Sequence, residues 1–392
     1  MMIRNANVFI NNQFEKVDVR FDEQAILEIG TDLTDEQVID GSGMYLYPGF
    51  VDTHMHGGFR HNFFPHAYDE TGQFWNEEDV RLILKKLPEY GVTSVMPTLN
   101  SLSIPDSQRA VRAIRKIRKE KAGSDPFKIH FEGPYINPAR SASIDPSLCA
   151  LPTQEHTLEM VDHDLSDIGI ICLAPELPNA KEWCEWITGQ GVHVEFGYTL
   201  CSADQVNECS KWGADTTTHF FNGFEAMHQR KEGCIVGCLL NEKITHQITC
   251  DGMVVSPSWI RLAIKLKGID HFYGMTDLVH FHGLKEGEYE NDHFGPVIVK
   301  NNFIKTKKEG LILGGIIPWN MIMKRARDVV GLSFEEVARL YAENPCRCLG
   351  IHDRGKIEIG RKSDFCLMDH DYNVLYTIID GRIVYENPHS SV

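Results

Sequence analysis

The sequence predicts an α/β fold: a (β/α)8 TIM-like barrel with a small β-sandwich domain built from both termini. The 392-residue chain is long enough for a large barrel and a satellite domain. Its middle alternates strand-like and helix-like segments, whereas both ends contain only short strand-like runs. We therefore place the barrel at residues 50–353 and the small domain at residues 1–49 and 354–392.

The two ends of the chain share a β-rich texture. Strand-like runs span residues 3–10, 16–21 and 25–29, and Asn11-Asn12 separates the first two as a hairpin turn would. Residues 355–386 hold comparable runs, with Asp380-Gly381 as a turn signal. Two such ends around a different middle indicate one sheet domain assembled from both termini.

The middle of the chain contains eight strand-like runs separated mostly by helical segments, which is the pattern of a parallel sheet. Eight strands over this length favour a closed barrel over an open sheet. The runs lie at 50–54, 92–97, 128–131, 168–173, 192–196, 216–220, 244–250 and 271–275. Two late helices, at about 318–329 and 333–348, close the barrel domain.

Composition limits the class of partner and the compartment. A formal net charge of −16 argues against nucleic acid or an anionic membrane as the main partner, although one local arginine can still bind a small anion. The 11 cysteines show no paired CxxC spacing and predict buried thiols in a reducing compartment. No signal peptide is evident and no apolar run approaches the ~20 residues of a membrane span, so we expect a cytoplasmic protein.

The strongest local signal is His54-Met55-His56, at the end of an apolar run that begins at Leu46. Residues two apart on a strand point to the same face, so both imidazoles can reach one point, as two metal ligands must. Two histidines on a polar rim would be the simpler interpretation. Residues elsewhere in the chain therefore decide between a metal site and a polar rim.

Polar residues also follow three later strands of the barrel. Glu132 ends the third strand, His219 the sixth and Asp277 the eighth. Taken singly, Glu132 could cap a turn and His219 could be a core histidine. Because a barrel builds its active site at the carboxyl ends of its strands, these residues should converge with His54 and His56. Histidine nitrogen and carboxylate oxygen suit an open catalytic site for Zn²⁺, Fe²⁺ or Mn²⁺.

Several longer motifs connect the chain to a known family. The motifs are Pro48-Gly-Phe-Val-Asp-Thr-His-Met-His-Gly-Gly58, His130-Phe-Glu-Gly-Pro-Tyr-Ile-Asn137, Thr218-His-Phe-Phe-Asn222, Asp251-Gly252, Thr276-Asp277 and Gly355-Lys-Ile-Glu-Ile-Gly-Arg-Lys-Ser-Asp-Phe365. With them the chain resembles the metal-dependent amidohydrolase superfamily and, within it, the N-acetylglucosamine-6-phosphate deacetylase family, over its whole length. The EGP motif is more specific to the deacetylases than the HxH pair, which marks the whole superfamily.

The resemblance implies a function and roles for named residues. It implies a cytoplasmic homodimer of amino sugar catabolism with one or two divalent ions, for which we expect Zn²⁺, with Fe²⁺ or Mn²⁺ as alternatives. Asp277 matches the catalytic aspartate, which would take a proton from water and pass it to the leaving amine. Asn222 and Gly223 lie where the family meets the sugar phosphate. Arg230 lies where the family keeps a phosphate-binding arginine, although a solvated loop charge is its simpler interpretation.

The sequence departs from the family pattern at three positions. Tyr198 stands where the family has a metal histidine, and Ile144 stands where it has a carbonyl-polarising histidine. Val254 replaces a histidine near the phosphate. His193 and Glu195 lie earlier on the strand of Tyr198 and share a face, but they do not occupy its position.

These departures lead to a specific hypothesis for the metal. One strongly bound ion is held by His54, His56, Glu132 and Asp277. His219 serves either a second ion or a hydrogen bond to the water that reacts.

The first functional interpretation is a hydrolase of a non-peptide C–N bond that deacetylates N-acetylglucosamine-6-phosphate or a relative. The second is an amidohydrolase of a non-sugar amide, such as an N-acyl amino acid or a cyclic amide. Ile144 and Val254 favour it, whereas Arg230 and Asn222 favour the first. The third is a metal- or ligand-binding protein without turnover.

Overall fold

The computed structural model describes residues 1–65, 75–290 and 295–388. Within these ranges the chain forms 21 strands and ten α-helices. The strands are β1 Met2–Ile10, β2 Gln13–Phe21, β3 Ile26–Gly30, β4 Val38–Asp40, β5 Tyr45–Pro48, β6 Phe50–Met55, β7 Gly57–Gly58, β8 His61–Asn62, β9 Val92–Asn100, β10 Ile129–Tyr135, β11 Ile168–Leu173, β12 His193–Phe196, β13 Thr216–Thr217, β14 Thr245–Ile248, β15 Phe272–Gly274, β16 Gly287–Tyr289, β17 Val297–Lys300, β18 Phe303–Thr306, β19 Phe365–Met368, β20 Val374–Ile379 and β21 Arg382–Glu386.

The helices vary in length from one turn to five. They are α1 Glu77–Lys86, α2 Ile104–Glu120, α3 Gln154–Met160, α4 Ala180–Thr188, α5 Ala203–Trp212, α6 Cys234–Leu240, α7 Pro257–Lys267, α8 Trp319–Arg325, α9 Phe334–Ala338 and α10 Asn344–Cys348. None of the helices in the described ranges has the length and apolar content needed to cross a bilayer.

Eight parallel strands form the barrel sheet, in the order β15-β14-β13-β12-β11-β10-β9-β6. Their residues are buried almost throughout, because helices cover the outer face and side chains fill the interior. Each of the eight runs predicted from the sequence corresponds to one of these strands.

The barrel closes between β6 and the residues that follow β15. Met55 and Leu278 form a parallel bridge, and the Asp277 amide donates a hydrogen bond to the His54 carbonyl at 2.9 Å. The Leu278 carbonyl in turn accepts from the His56 amide at 2.9 Å. The closure therefore lies at the carboxyl ends of the first and last strands. The predicted (β/α)8 barrel is confirmed.

Both ends of the chain contribute to a second sheet, with strand order β21-β20-β19-β5-β1-β2-β3 and β4 paired to β1. The amino- and carboxyl-terminal parts meet where β5 pairs antiparallel with β19. A separate apolar cluster lies within this sheet and includes Val8, Val19, Leu46, Phe365 and Ile378. The prediction of a β domain built from both termini is thus confirmed as to fold class, whereas its boundaries at 49 and 354 stay a prediction.

The sequence analysis did not anticipate the antiparallel sheet β16-β17-β18 between β15 and α8. Val297, Val299 and Ile304 from this sheet pack with Val279 and Leu313 in a small apolar cluster. The loop that follows, residues 309–314, reaches the mouth of the barrel.

A buried arginine connects the start of the carboxyl-terminal segment to the barrel. Arg354, 5 % exposed, donates to Ser94 Oγ at 2.8 Å and to Asp125 Oδ2 at 2.9 Å, and its guanidinium lies 4.5 Å from the Phe127 ring centroid. Removing the guanidinium would break these buried hydrogen bonds and leave Asp125 with the more exposed Arg118, 3.3 Å away, as its nearest cation, which is costly.

We predict that Arg354→Met lowers the free energy of unfolding by about 3 kcal/mol, measured by urea denaturation. The control is Arg112→Met, which breaks an ion pair with Asp162 but removes a side chain that is 62 % exposed. That change should cost less than about 1 kcal/mol. Equal, small losses in the two variants would contradict a structural role for Arg354.

Candidate metal centre

Five polar residues predicted from four different strands meet at the carboxyl end of the barrel. His54 lies on β6, and His56 follows that strand directly. Glu132 lies on β10, whereas His219 and Asp277 follow β13 and β15. All five side chains are buried, with no more than 6 % exposure.

The side-chain atoms of these residues converge on one point, which we call the focus. His54 Nε2 and His56 Nε2 are 3.2 Å apart, and Asp277 Oδ1 lies 3.6 Å from the first and 3.5 Å from the second. Glu132 places Oε1 3.5 Å from His54 Nε2 and Oε2 3.2 Å from His56 Nε2. One cation could contact the nitrogen atoms of both histidines and an oxygen of Asp277, since these atoms lie within 4.8 Å of one another.

The hydrogen bonds around His54 indicate which atom faces this focus. Gln247 Nε2 donates to Glu195 at 3.0 Å, so Gln247 Oε1 accepts from His54 Nδ1 at 2.8 Å. His54 Nε2 then carries a lone pair that points at His56 and the two carboxylates. Lone pairs and carboxylates that converge on one point repel each other unless a metal cation or a proton lies between them. The residues present therefore fit a divalent metal with nitrogen and oxygen ligands.

The charges of the pocket favour a cation as well. Burial acts to lower the pKa of His56, but the Glu132 and Asp277 carboxylates outweigh it and raise this pKa to about 10. Burial opposes ionisation of Glu132, yet His56 and His219 hold its pKa well below its ordinary value. The pocket is thus arranged to keep positive charge beside two carboxylates.

A hydrogen-bonded layer underlies the histidines inside the barrel. Glu195 Oε1 lies 2.7 Å from His130 Nε2, and His130 Nδ1 lies 3.1 Å from Thr98 Oγ1. Burial, then the nearby Glu132 carboxylate, raises the pKa of Glu195 well above its ordinary value, and burial lowers that of His130 to about 3. Both shifts favour the uncharged forms of these groups, and the layer supports His54 through Gln247.

Sequence reasoning missed His130 and Gln247 as parts of the site. His130 shares a strand face with Glu132, two residues on, and this alternation could have indicated it. Gln247 had no comparable signal. His193 lies far from the focus, because it contacts Asp215 Oδ2 at 2.7 Å and the Leu349 carbonyl at 3.1 Å.

Tyr198 occupies a place between Glu132 and His219. Its hydroxyl donates to Glu132 Oε1 at 2.8 Å and lies 3.0 Å from His219 Nε2. Burial, then the Glu132 carboxylate, raises the pKa of the phenol well above its ordinary value, so Tyr198 remains a neutral donor. Tyr198 and Asp277 both have positive φ angles, 49° and 53°, an uncommon conformation that concentrates at functional sites.

A cavity of about 800 Å³ opens above the five residues. His56, Glu132 and Asp277 form its floor, and Asn222 and Gly223 line its wall. The structure therefore brings the predicted substrate-binding pair to the cavity.

Two of the three departures from the family pattern lie together on the cavity wall. Ile144, 5 % exposed, and Tyr198 both line the cavity. They also pack in one apolar cluster with Ile136 and Cys172. The two replacements therefore form one packed unit.

The structure does not bring Arg230 or Val254 to the described cavity lining. Arg230 is exposed, and its backbone amide donates to His228 Nδ1 at 3.2 Å. Val254 is partly buried against the main core, and its amide donates to Asp251 Oδ1 at 3.1 Å. Within this chain, neither side chain contributes to the cavity wall.

Comparisons with known proteins agree with this architecture. The model of the amidohydrolase family matches residues 309–384. The N-acetylglucosamine-6-phosphate deacetylase of Bacillus subtilis is 26% identical over 346 residues, which cover 87% of this chain and 84% of the relative. The deacetylase of that name from Lysinibacillus sphaericus is 25% identical, over 98% of this chain and 97% of the relative.

The fold is shared with a solved structure as well. The crystal structure of N-acetylglucosamine-6-phosphate deacetylase from Pasteurella multocida superposes with a TM-score of 0.88 at 23% identity, over 98% of this chain and 99% of that one. The similarity thus extends over both the barrel and the two-ended sheet. The chain is therefore similar over most of its length to N-acetylglucosamine-6-phosphate deacetylases, and the resemblance predicted from its motifs is confirmed.

Proposed function

We propose that this chain is a metal-dependent amidohydrolase that deacetylates N-acetylglucosamine-6-phosphate or a close relative. The observation that carries the proposal is the convergence of His54, His56, Glu132 and Asp277 at the base of a cavity, whose floor includes the last three. The end-to-end similarity to deacetylases of that name supports the choice of reaction and of substrate class.

His54, His56, Glu132 and Asp277 would hold one ion, for which we propose Zn²⁺, with Fe²⁺ or Mn²⁺ as alternatives. A divalent ion bound there supplies Lewis acidity, which polarises an amide carbonyl and makes water more acidic. His219 would serve a second ion or hydrogen-bond the water that reacts.

Asp277 would act as the general base and then as the general acid. It would accept a proton from the attacking water and deliver it to the nitrogen of the leaving amine. Its backbone is held on both sides, because its amide donates to the His54 carbonyl at 2.9 Å and its carbonyl accepts from Gly315 at 2.7 Å. The carboxylate therefore has a fixed position relative to His54.

Tyr198 and His219 would position Glu132. Both approach Oε1 of this carboxylate, at 2.8 Å each, and this leaves Oε2 directed at His56. His219 is itself oriented by the bond from its Nδ1 to the Asn222 carbonyl at 2.8 Å. We assign Tyr198 this positioning role in place of the metal ligation for which the family uses a histidine.

A second candidate is an amidohydrolase of a non-sugar amide. The apolar side chain of Ile144 on the cavity wall favours it, since no hydrogen-bond donor stands there. A screen of N-acetylglucosamine-6-phosphate, N-acetylglucosamine, N-acyl amino acids and cyclic amides separates the candidates. A cytoplasmic location and a homodimer remain predictions from the sequence.

We predict that Asp277→Asn lowers turnover of N-acetylglucosamine-6-phosphate by about 10²- to 10⁴-fold, because the amide cannot accept the proton. Acetate release measures the rate, and circular dichroism checks the fold. Asp371→Asn, which changes an exposed carboxylate, is the control and should keep full activity. Full activity of Asp277→Asn would refute the role of Asp277, and a wild type inactive on every amide would favour the binding-protein interpretation.

We predict that His54→Ala removes the metal and the activity together, whereas Tyr198→Phe retains the metal. The imidazole of His54 contributes a nitrogen ligand, but the Tyr198 hydroxyl donates to Glu132 and need not touch the ion. Elemental analysis of protein purified without chelator gives the stoichiometry. Loss of the metal from Tyr198→Phe alone would show that the phenol is a ligand, and near-zero metal in the wild type would refute the metal proposal.

We predict that Gln247→Met weakens metal binding by about 10- to 100-fold, because His54 loses the acceptor that fixes its tautomer and orientation. Competition with a coloured chelator measures the affinity. Gln190→Met, at an exposed position, is the matched control and should leave the affinity unchanged. Unchanged affinity in Gln247→Met would show that the ring is held without this bond.

A further inference from the structure

One cation on the cavity wall has no anionic partner. Arg140 ends a short turn after β10 and lines the cavity. Its Nη2 donates to the Gly223 carbonyl at 3.3 Å, and its Nε is buried without a hydrogen-bond partner. In the described part of the chain, no carboxylate oxygen lies within 4.0 Å of this guanidinium.

A half-buried guanidinium in this state is energetically costly. Burial of a charge is tolerated when an opposite charge and hydrogen bonds compensate it, and one neutral carbonyl compensates Arg140 only in part. The Nε–H and Nη–H groups form the planar fork that suits phosphate or carboxylate oxygens. The arrangement fits an anion supplied from the cavity.

The carboxylates of Asp106, Asp145 and Glu309 at the rim of the same cavity are already engaged. Asp145 accepts from the Ser147 amide at 2.9 Å. Asp106 accepts from Ser103 Oγ at 2.8 Å and lies 3.5 Å from Arg109. Glu309 lies 3.3 Å from Lys308. These pairs lower the repulsion that the rim would exert on an anion beside Arg140.

Gly223 connects Arg140 on the cavity wall to the candidate metal centre at the cavity floor. Gly223, which accepts the bond from Arg140, packs against the rings of His219 and Tyr198 so closely that an added Cβ would lie 3.2 Å from His219 Cε1. A small molecule with an amide at the floor of the cavity could therefore present a second group to Arg140. Arg230, by contrast, is exposed outside the described lining.

We propose that Arg140 binds the anionic group of the substrate and thereby sets specificity for phosphorylated or otherwise anionic amides. The proposal rests on the proposed function for its substrate class, and it assigns the anion contact within this chain to a different residue from Arg230. Asn222 and Gly223 would complete the wall beside the bound anion. The group recognised is a phosphate monoester or a carboxylate, which share the same fork geometry.

Steady-state kinetics with N-acetylglucosamine-6-phosphate and N-acetylglucosamine test this proposal. Arg140→Met should raise KM for the phosphorylated amide by about 10- to 100-fold and leave KM for the neutral amide and both kcat values nearly unchanged. Arg140→Lys keeps the charge without the fork, so its KM should be intermediate. Arg112→Met, on the outer face of α2, is the matched control for loss of an arginine. An N-acyl amino acid as substrate shows whether a carboxylate is recognised instead.

The outcomes separate this proposal from the proposed function. If the wild type is active and neither Arg140 variant changes KM for an anionic amide, the Arg140 proposal is overturned and the deacetylase proposal stands. A larger KM effect of Arg230→Met than of Arg140→Met also overturns it. If the wild type turns over no amide, calorimetric titration with inorganic phosphate decides, since tighter binding by the wild type than by Arg140→Lys and Arg140→Met supports the site and equal binding refutes it.

Discussion

Backbone hydrogen bonds join the two ends of the barrel: the Asp277 amide donates to the His54 carbonyl, and the His56 amide donates to the Leu278 carbonyl, each at 2.9 Å. Parallel strands can close into a barrel only when the first and the last come into register. Here the register places a histidine of the first strand beside the carboxylate that follows the last one. The closure of the fold and the assembly of the candidate site are therefore the same event.

Glu132 is the residue on which most of the site's contacts converge. One oxygen accepts from Tyr198 and contacts His219, while the other faces His56. A carboxylate this deeply buried stays ionised only because positive and hydrogen-bonding groups surround it. Buried neighbouring groups thus hold several potential cation ligands in fixed positions.

The departures from the family pattern are consistent with one another physically. Tyr198 brings a large ring to the cavity wall, and Ile144 packs in the same apolar cluster. A histidine at position 144 would put a polar ring into this cluster. The phenol keeps its hydroxyl on Glu132, so the change removes a nitrogen ligand and adds a hydrogen-bond donor. This unit also makes the cavity wall less polar beside the candidate metal centre.

The sequence by itself determined the eight barrel strands and the five polar residues at their ends. The spacing of apolar residues is a local pattern that predicts the strands. Because the carboxyl ends of barrel strands meet at one mouth, the same pattern predicts which polar residues come together. His54, Glu132 and Asp277 were predictable for this reason. The sheet β16-β17-β18 was not, because its short strands carry a weak pattern and interrupt the βα alternation.

Only the tertiary structure decided which side chains support and complete the site. Gln247 reaches His54 across 193 residues of sequence, and no local pattern encodes that contact. Loop paths likewise place Arg140 on the cavity wall and Arg230 outside it, although both are single arginines near a family motif. Spacing along a chain specifies positions on a strand or helix, whereas the direction of a loop depends on the packing of everything beneath it.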